Sequence, residues 1–154
     1  MAIDKIDITL LNLLQNNTKL NTKELAQKIG LSVTPTYERI KRLEKQGYIK
    51  NYVAILDRKL IDKNLMVISF VSLLLHSRDM QIEFEKSIIE YAEVIECFHV
   101  TGSYDYQLKV VVSDMEEYQS FIKNKLSSIN NIANVQSSFV MNSLKDTTAI
   151  PIIA

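Results

Sequence analysis

The sequence predicts an α+β chain in two parts, three short helices followed by a strand–helix–strand–strand–helix–strand run. Three observations carry that reading. Apolar residues recur at helical spacing up to about residue 46 and form strand-like runs from residue 65 onward. Cap and stop residues, Asn21, Gly30 and Gly47, punctuate the first part at short intervals. Charge is divided unevenly. Residues 1–63 hold 12 Lys+Arg and seven Asp+Glu, the remainder six and 11, although the 154-residue chain nets to zero. Such asymmetry points to a nucleic-acid-binding part joined to something else.

The first helix spans residues 4–16, with Ile6, Leu10, Leu13 and Leu14 on one face. Asn21 followed by Glu24 has capping-box spacing and opens a second helix with Leu25, Ala26 and Ile29 inward, stopped at Gly30. Ser32 or Thr34 can cap the third helix, and Pro35 falls in its first turn, where a missing N–H costs nothing. This helix runs to Gln46 and stops at Gly47. Its inward stripe is read as Val33, Tyr37, Ile40 and Leu43, its outward face as Thr34, Thr36, Arg39, Lys41, Arg42 and Lys45. Two helices separated only by residues 30–32 make a helix-turn-helix, whose second helix enters the DNA major groove. Ser32, Thr34 and Thr36 suit phosphates or base edges at the helix start, Arg39 and Arg42 suit guanine, and Lys41 and Lys45 suit phosphate. Residues 48–56 read as a strand leaving this unit and 57–64 as a polar linker. The expected domains are 1–52, a strand and linker over 53–64, and 65–154.

In the second part, residues 65–75 read as a buried strand and 79–91 as a helix with Met80, Phe84, Ile88 and Tyr91 on one face. Strands are expected over 94–101 and 106–112, joined by a hairpin at Gly102-Ser103-Tyr104-Asp105. Ser113 and Glu116 have capping-box spacing before a helix whose inward residues are Met115, Tyr118, Ile122 and Leu126. A last strand covers about 133–141. The order βαββαβ is that of a ferredoxin-like fold, an antiparallel sheet with both helices on one face. The other face needs a cover, and a second copy of the chain supplies one most simply, so dimerisation is expected.

Several classes are disfavoured. Cys97 is alone, which excludes a disulfide framework and a Cys-based finger and fits a reducing compartment; on its apolar strand it reads as a buried structural thiol rather than a nucleophile. His76 and His99 lack partners at metal-ligand spacing, so no metal is expected. The longest apolar run, 65–75, is 11 residues against the roughly 20 that cross a bilayer. The first residues carry no basic-then-apolar leader pattern. A cytoplasmic protein without membrane contact is expected.

Two segments, Gly30-Leu31-Ser32-Val33-Thr34-Pro35-Thr36-Tyr37-Glu38-Arg39-Ile40-Lys41-Arg42-Leu43-Glu44 with Gly47-Tyr48-Ile49, and Gly102-Ser103-Tyr104-Asp105-Tyr106 with Leu108-Lys109-Val110 and Asp114-Met115, resemble the Lrp/AsnC ("feast/famine") transcription regulators. The likeness extends over about residues 3–145. It implies a winged helix-turn-helix domain and a ferredoxin-like effector (RAM) domain. It also implies dimers that assemble into octamers on double-stranded DNA, associated with the bacterial or archaeal nucleoid, with an amino acid bound between dimers. Many members carry Pro or Ala at the position of Val33 and an acid or Asn at that of Ser103.

A free amino acid offers an ammonium and a carboxylate. Asp105 can pair with the first, and backbone N–H groups around Gly102 and Ser103 can form a nest for the second, with Tyr104 in the same loop. The same four residues also satisfy the preferences of a plain hairpin turn. The resemblance further places His99, Met115, Gln136 and Ser138 near this pocket. The expected function is a sequence-specific transcriptional regulator responding to a small metabolite, an amino acid by preference, with no cofactor beyond that effector. It is expected not to be an enzyme. Two alternatives stand beside it: a siroheme-decarboxylase-like enzyme of the same architecture, which His99 keeps open, and an effector-independent nucleoid-architectural protein, which Ser103 keeps open. The tail 146–154 is apolar enough to pack against a partner, and nothing in the sequence places it.

Overall fold

The protein is described here by a computed structural model covering residues 3–153; Met1, Ala2 and Ala154, at the ends of the expected first and last domains, lie outside the described residues. Helices α1 (Lys5–Asn16), α2 (Thr22–Ile29) and α3 (Val33–Lys45) come first. Then follow β1 (Leu65–Leu73), α4 (Arg78–Ile89), β2 (Val94–His99), β3 (Tyr106–Val112), α5 (Met115–Asn124) and β4 (Ile132–Phe139), with 3-10 turns at Arg58–Ile61 and Leu126–Ser128. The chain divides into two compact units: one runs to Ile55 and includes the segment from Lys145 onward, the other is Leu56–Leu144.

In the first unit the caps form as their residue types dictate. Asp4 and Asp7 make a reciprocal capping box on α1, and Asn21 and Glu24 make another on α2. Gly30 takes φ +70°, a left-handed conformation in which a side chain would be strained, and Leu31 N–H closes on Ala26 O at 3.0 Å. The chain thereby turns within three residues into α3, capped at Ser32 without a side-chain bond. Leu10, Leu11, Leu14, Leu25, Ile40 and Leu43 form the core between the helices, each buried side chain contributing about 2 kcal/mol. Ile152 joins that core from the far end of the sequence. Gln15 fixes the tail in both directions, its Nε2 donating to Ile150 O at 2.7 Å and its Oε1 accepting from Ile150 N–H at 2.8 Å. Asn12 Nδ2 donates to Ile152 O at 3.2 Å. The tail therefore belongs with α1, not with the ferredoxin-like domain whose expected range, 65–154, included it. Residues 48–56 form neither helix nor strand, contrary to expectation. Their apolar residues Val53, Ile55 and Leu56 are exposed and pair with no strand among the described residues.

The second unit has the expected ferredoxin-like topology, a four-stranded antiparallel sheet in the order β2-β3-β1-β4. Alternation divides each strand between two faces. Val67, Val71, Tyr106, Leu108, Val110 and Val112 face α4 and α5, where Phe84, Ile88, Tyr118 and Phe121 complete the core. One buried polar link crosses it, Ser69 Oγ to Tyr118 Oη at 2.9 Å, continued to Ser137 Oγ at 2.5 Å. Ile68 and Phe70 point to the opposite face, which carries no helix; Ser138 and Gln136 stand beside them in register. Boundaries moved by a few residues. The cap of α5 moved by one: Asp114, not Ser113, accepts from Glu117 N–H at 2.9 Å, while Glu117 accepts from Ser113 N–H at 2.5 Å. Met115, expected inward, is exposed. Cys97 is also exposed, because β2 is an edge strand. Partial desolvation and the nearby Glu85 carboxylate push its thiol upward in pKa, which keeps it protonated and a poor nucleophile.

Candidate DNA-reading helix and effector loop

Helix α3 is fastened to α1 by charge. Arg39 Nη1 donates to Asp4 Oδ2 at 2.6 Å and Asp7 Oδ1 at 2.8 Å, and Arg42 Nη2 donates to Asp7 Oδ2 at 2.6 Å. Asp7 is only 1% exposed, so both of its oxygens are engaged out of contact with water. The Asp7 N–H and then Arg39 hold the Asp4 carboxyl below its usual pKa. The two arginines expected to read guanine thus serve first as the clamp that sets the angle of α3.

The buried stripe of α3 is Thr36, Ile40 and Leu43, spaced i, i+4, i+7. Thr36 was expected on the outward face and is 0% exposed. Its hydroxyl donates to Ser32 O at 2.9 Å, which satisfies the donor inside the helix and lets the side chain enter the core. Thr36 is therefore not a DNA contact. Val33 and Tyr37, read as inward, are 46% and 51% exposed. Ser32 and Thr34 are exposed at the start of the helix, Lys41 and Lys45 farther along. Lys41 Nζ bonds Glu44 Oε2 at 2.7 Å and lies 5.7 Å from the centre of the Tyr37 ring. Lys45 has no acidic partner among the described residues.

In the second unit the loop between β2 and β3 is held at its base. Asp105 N–H donates to Val71 O at 2.9 Å, and Val100 N–H to Asp105 O at 2.8 Å. The Asp105 carboxylate accepts from Leu73 N–H at 2.7 Å and lies 3.0 Å from His76 Nε2. Gly102 takes φ +122°, and no atom lies within 4 Å of where a Cβ would stand, so conformation rather than space requires glycine here. Ser103 is exposed. Tyr104 donates its hydroxyl to Gln136 Oε1 and rests its ring 5.2 Å from that of Phe70.

The structure thus joins Tyr104, Asp105 and Gln136 around the loop, with Ser138 two residues along the same face of β4. It does not bring Met115 there. Met115 lines a cleft of about 290 Å³ with Tyr118, Ile122, Ser137 and Phe139, on the helix side of the sheet. His99 also lies on the helix side, stacked 4.7 Å from Tyr106, whose hydroxyl bonds Glu85 at 2.9 Å. His76 escaped the sequence reading as a loop residue. A signal existed: in an antiparallel β1–β3 pair with Val71 opposite Tyr106, the residues after β1 must lie beside the loop before β3. Asn131 fixes that segment, exchanging bonds with Leu75 N–H at 2.7 Å and Leu75 O at 2.8 Å.

Comparison with known proteins agrees with both halves. A family model for winged helix-turn-helix DNA-binding domains matches residues 3–50. One for the Lrp/AsnC ligand binding domain matches residues 66–150. The Bkd operon transcriptional regulator of Pseudomonas aeruginosa is 39% identical over 150 residues, covering 97% of this chain and 98% of that protein. The leucine-responsive regulatory protein of Haemophilus influenzae is 41% identical over 146 residues, covering 95% and 88%. A transcriptional regulator of Neisseria meningitidis, solved as an L-Met complex, superposes with a TM-score of 0.94 at 34% identity, covering 97% of each chain. With a DNA-binding helix-turn-helix matched in one unit and a ligand-binding domain in the other, the chain belongs to the Lrp/AsnC family of transcriptional regulators.

Proposed function

We propose that the effector of this DNA-binding regulator is a free amino acid, taken up at the loop around Gly102 and Asp105. The observation that carries this reading is the fixed Asp105 carboxylate beside a left-handed glycine. Two engaged bonds leave the carboxylate further lone pairs, enough to accept from an ammonium. The N–H groups after Gly102 offer donors for a carboxylate. The likeness to a regulator solved with L-Met supports the class of ligand. The chain acts by binding rather than catalysis, since His99, the residue on which a decarboxylase reading rests, is stacked on the core residue Tyr106. It works as a dimer that assembles further, since the helix-free sheet face presents Phe70 and the exposed Phe98 for a second copy to cover. Recognition helices of two copies then enter successive major grooves about 34 Å apart. No described helix is long and apolar enough to cross a membrane, in keeping with a cytoplasmic site of action.

Calorimetric titration with each of the twenty amino acids, beside mobility shifts on DNA from upstream of its own gene, tests this. Heat with at least one amino acid, lost in Asp105→Asn, is the expected result. Silence with all twenty, from a protein that shifts DNA, would favour the architectural reading instead.

A further inference from the structure

We propose that α3 reads base pairs through Val33 and Tyr37, and that the group they read is the 5-methyl of thymine in the major groove. The inference rests on the DNA-binding reading above and specifies what this helix face recognises. Val33 and Tyr37 are separated by four residues, so they share one face in the half of α3 that a helix-turn-helix directs at base edges. Both are half exposed on a helix whose other exposed residues are polar. Solvated helix faces ordinarily carry polar side chains, so an isolated Val–Tyr pair at this place calls for an apolar counterpart.

The alternative reader is arginine, which recognises guanine through two parallel hydrogen bonds. Arg39 Nη1 and Arg42 Nη2 are held by Asp4 and Asp7 at 2.6 to 2.8 Å, which ties both guanidiniums to α1. Releasing either would leave a buried carboxylate short of a partner. Among major-groove base edges, the thymine methyl is the apolar feature, and small apolar side chains contact it. The Tyr37 ring is held in readiness for that contact. Lys41 Nζ lies 5.7 Å from its centre, Glu44 holds Lys41 at 2.7 Å, and the Tyr52 hydroxyl holds Glu44 at 3.0 Å. Thr34, exposed beside Val33, adds one methyl and one hydroxyl to the same surface.

The test uses the full chain and the duplexes it enriches from a randomised pool. Replacing thymines one at a time by deoxyuridine removes the methyl and leaves every hydrogen bond in place. At contacted positions this should weaken binding about fourfold, the effect of losing roughly one buried CH2. Val33→Ala and Tyr37→Ala, both surface changes, should bind the thymine duplex more weakly and lose sensitivity to the replacement at their own positions. Replacing guanines by 7-deazaguanine, which removes the acceptor an arginine would use, should cost less. Affinity indifferent to deoxyuridine, or a guanine replacement costing as much or more, would overturn the proposal. Enrichment of no sequence at all would instead overturn the sequence-specific reading on which it rests.

Discussion

The two units hold their working surfaces by opposite means. In the helical unit, long charged side chains from α3 converge on Asp7, a carboxylate buried in α1. In the sheet unit a carboxylate at the loop, Asp105, is gripped by a backbone N–H and an imidazole, and the surrounding strand ladder provides the rigidity. A helix packed through a few leucines can slide and rotate, so it needs directional pins; a strand within a four-stranded sheet is already in register. The difference teaches that positive charge on α3 and availability of that charge are separate matters. Of its four basic residues, two arginines face inward to acids of their own unit.

The sharpest way to break this contrast is at Asp7. Asp7→Asn removes the charge on which Arg39 and Arg42 meet and should cost the helical unit about 2 kcal/mol, less than for a fully buried pair because the guanidiniums keep some water. Hydrogen exchange should show protection lost through α1–α3 and retained in β1 and β3. Equal loss in the sheet would mean that the units are not independently held. A smaller effect is expected at Gln15. Gln15→Ala removes both bonds to Ile150 and should cost about 1 kcal/mol, seen as faster exchange at the Ile150 amide. No change there would remove the tail from the list of pins.

The smallest effect belongs to the sheet unit. The Ser113 N–H, and then Lys63 at 2.9 Å, pull the Glu117 carboxyl down to about 2. A carboxyl depressed in the folded state adds stability above its unfolded pKa of about 4.5 and loses it as pH falls through about 2. Glu117 is partly exposed, so solvent screening keeps the contribution below about 1 kcal/mol. Glu117→Gln should flatten the acid unfolding curve between those two pH values and leave neutral-pH stability slightly lower. An unchanged acid limb would show that the helix start does not depend on this charge.

The elements themselves were legible because their signals are local. Asn21 with Glu24, and Gly30 after Ile29, act within a few residues and form as spaced. The βαββαβ order followed from alternation and from the hairpin at 102–105. Hydrophobicity is a poor guide to the buried face of α3, because Thr36 hides its hydroxyl on Ser32 O and leaves Tyr37 to protrude. The partners of Arg39 lie more than 30 residues away, and sequence spacing cannot show an ion pair between helices. The same applies to His76 beside Asp105 and to the tail on Gln15. The expected strand at 48–56 had apolar residues enough, but a strand also needs a neighbour to pair with, which a single segment cannot reveal.

An amino acid bound at the proposed loop site should change the affinity with which α3 holds DNA. This is tested most directly by the affinity of the full chain for its enriched duplex at rising concentrations of each amino acid, in the wild type and in Asp105→Asn. At least one amino acid should shift the wild-type midpoint by about fivefold or more, a typical coupling between two sites. The variant should bind DNA as the wild type does without amino acid and show no such shift. A midpoint that no amino acid moves, or a variant that responds like the wild type, would contradict the account.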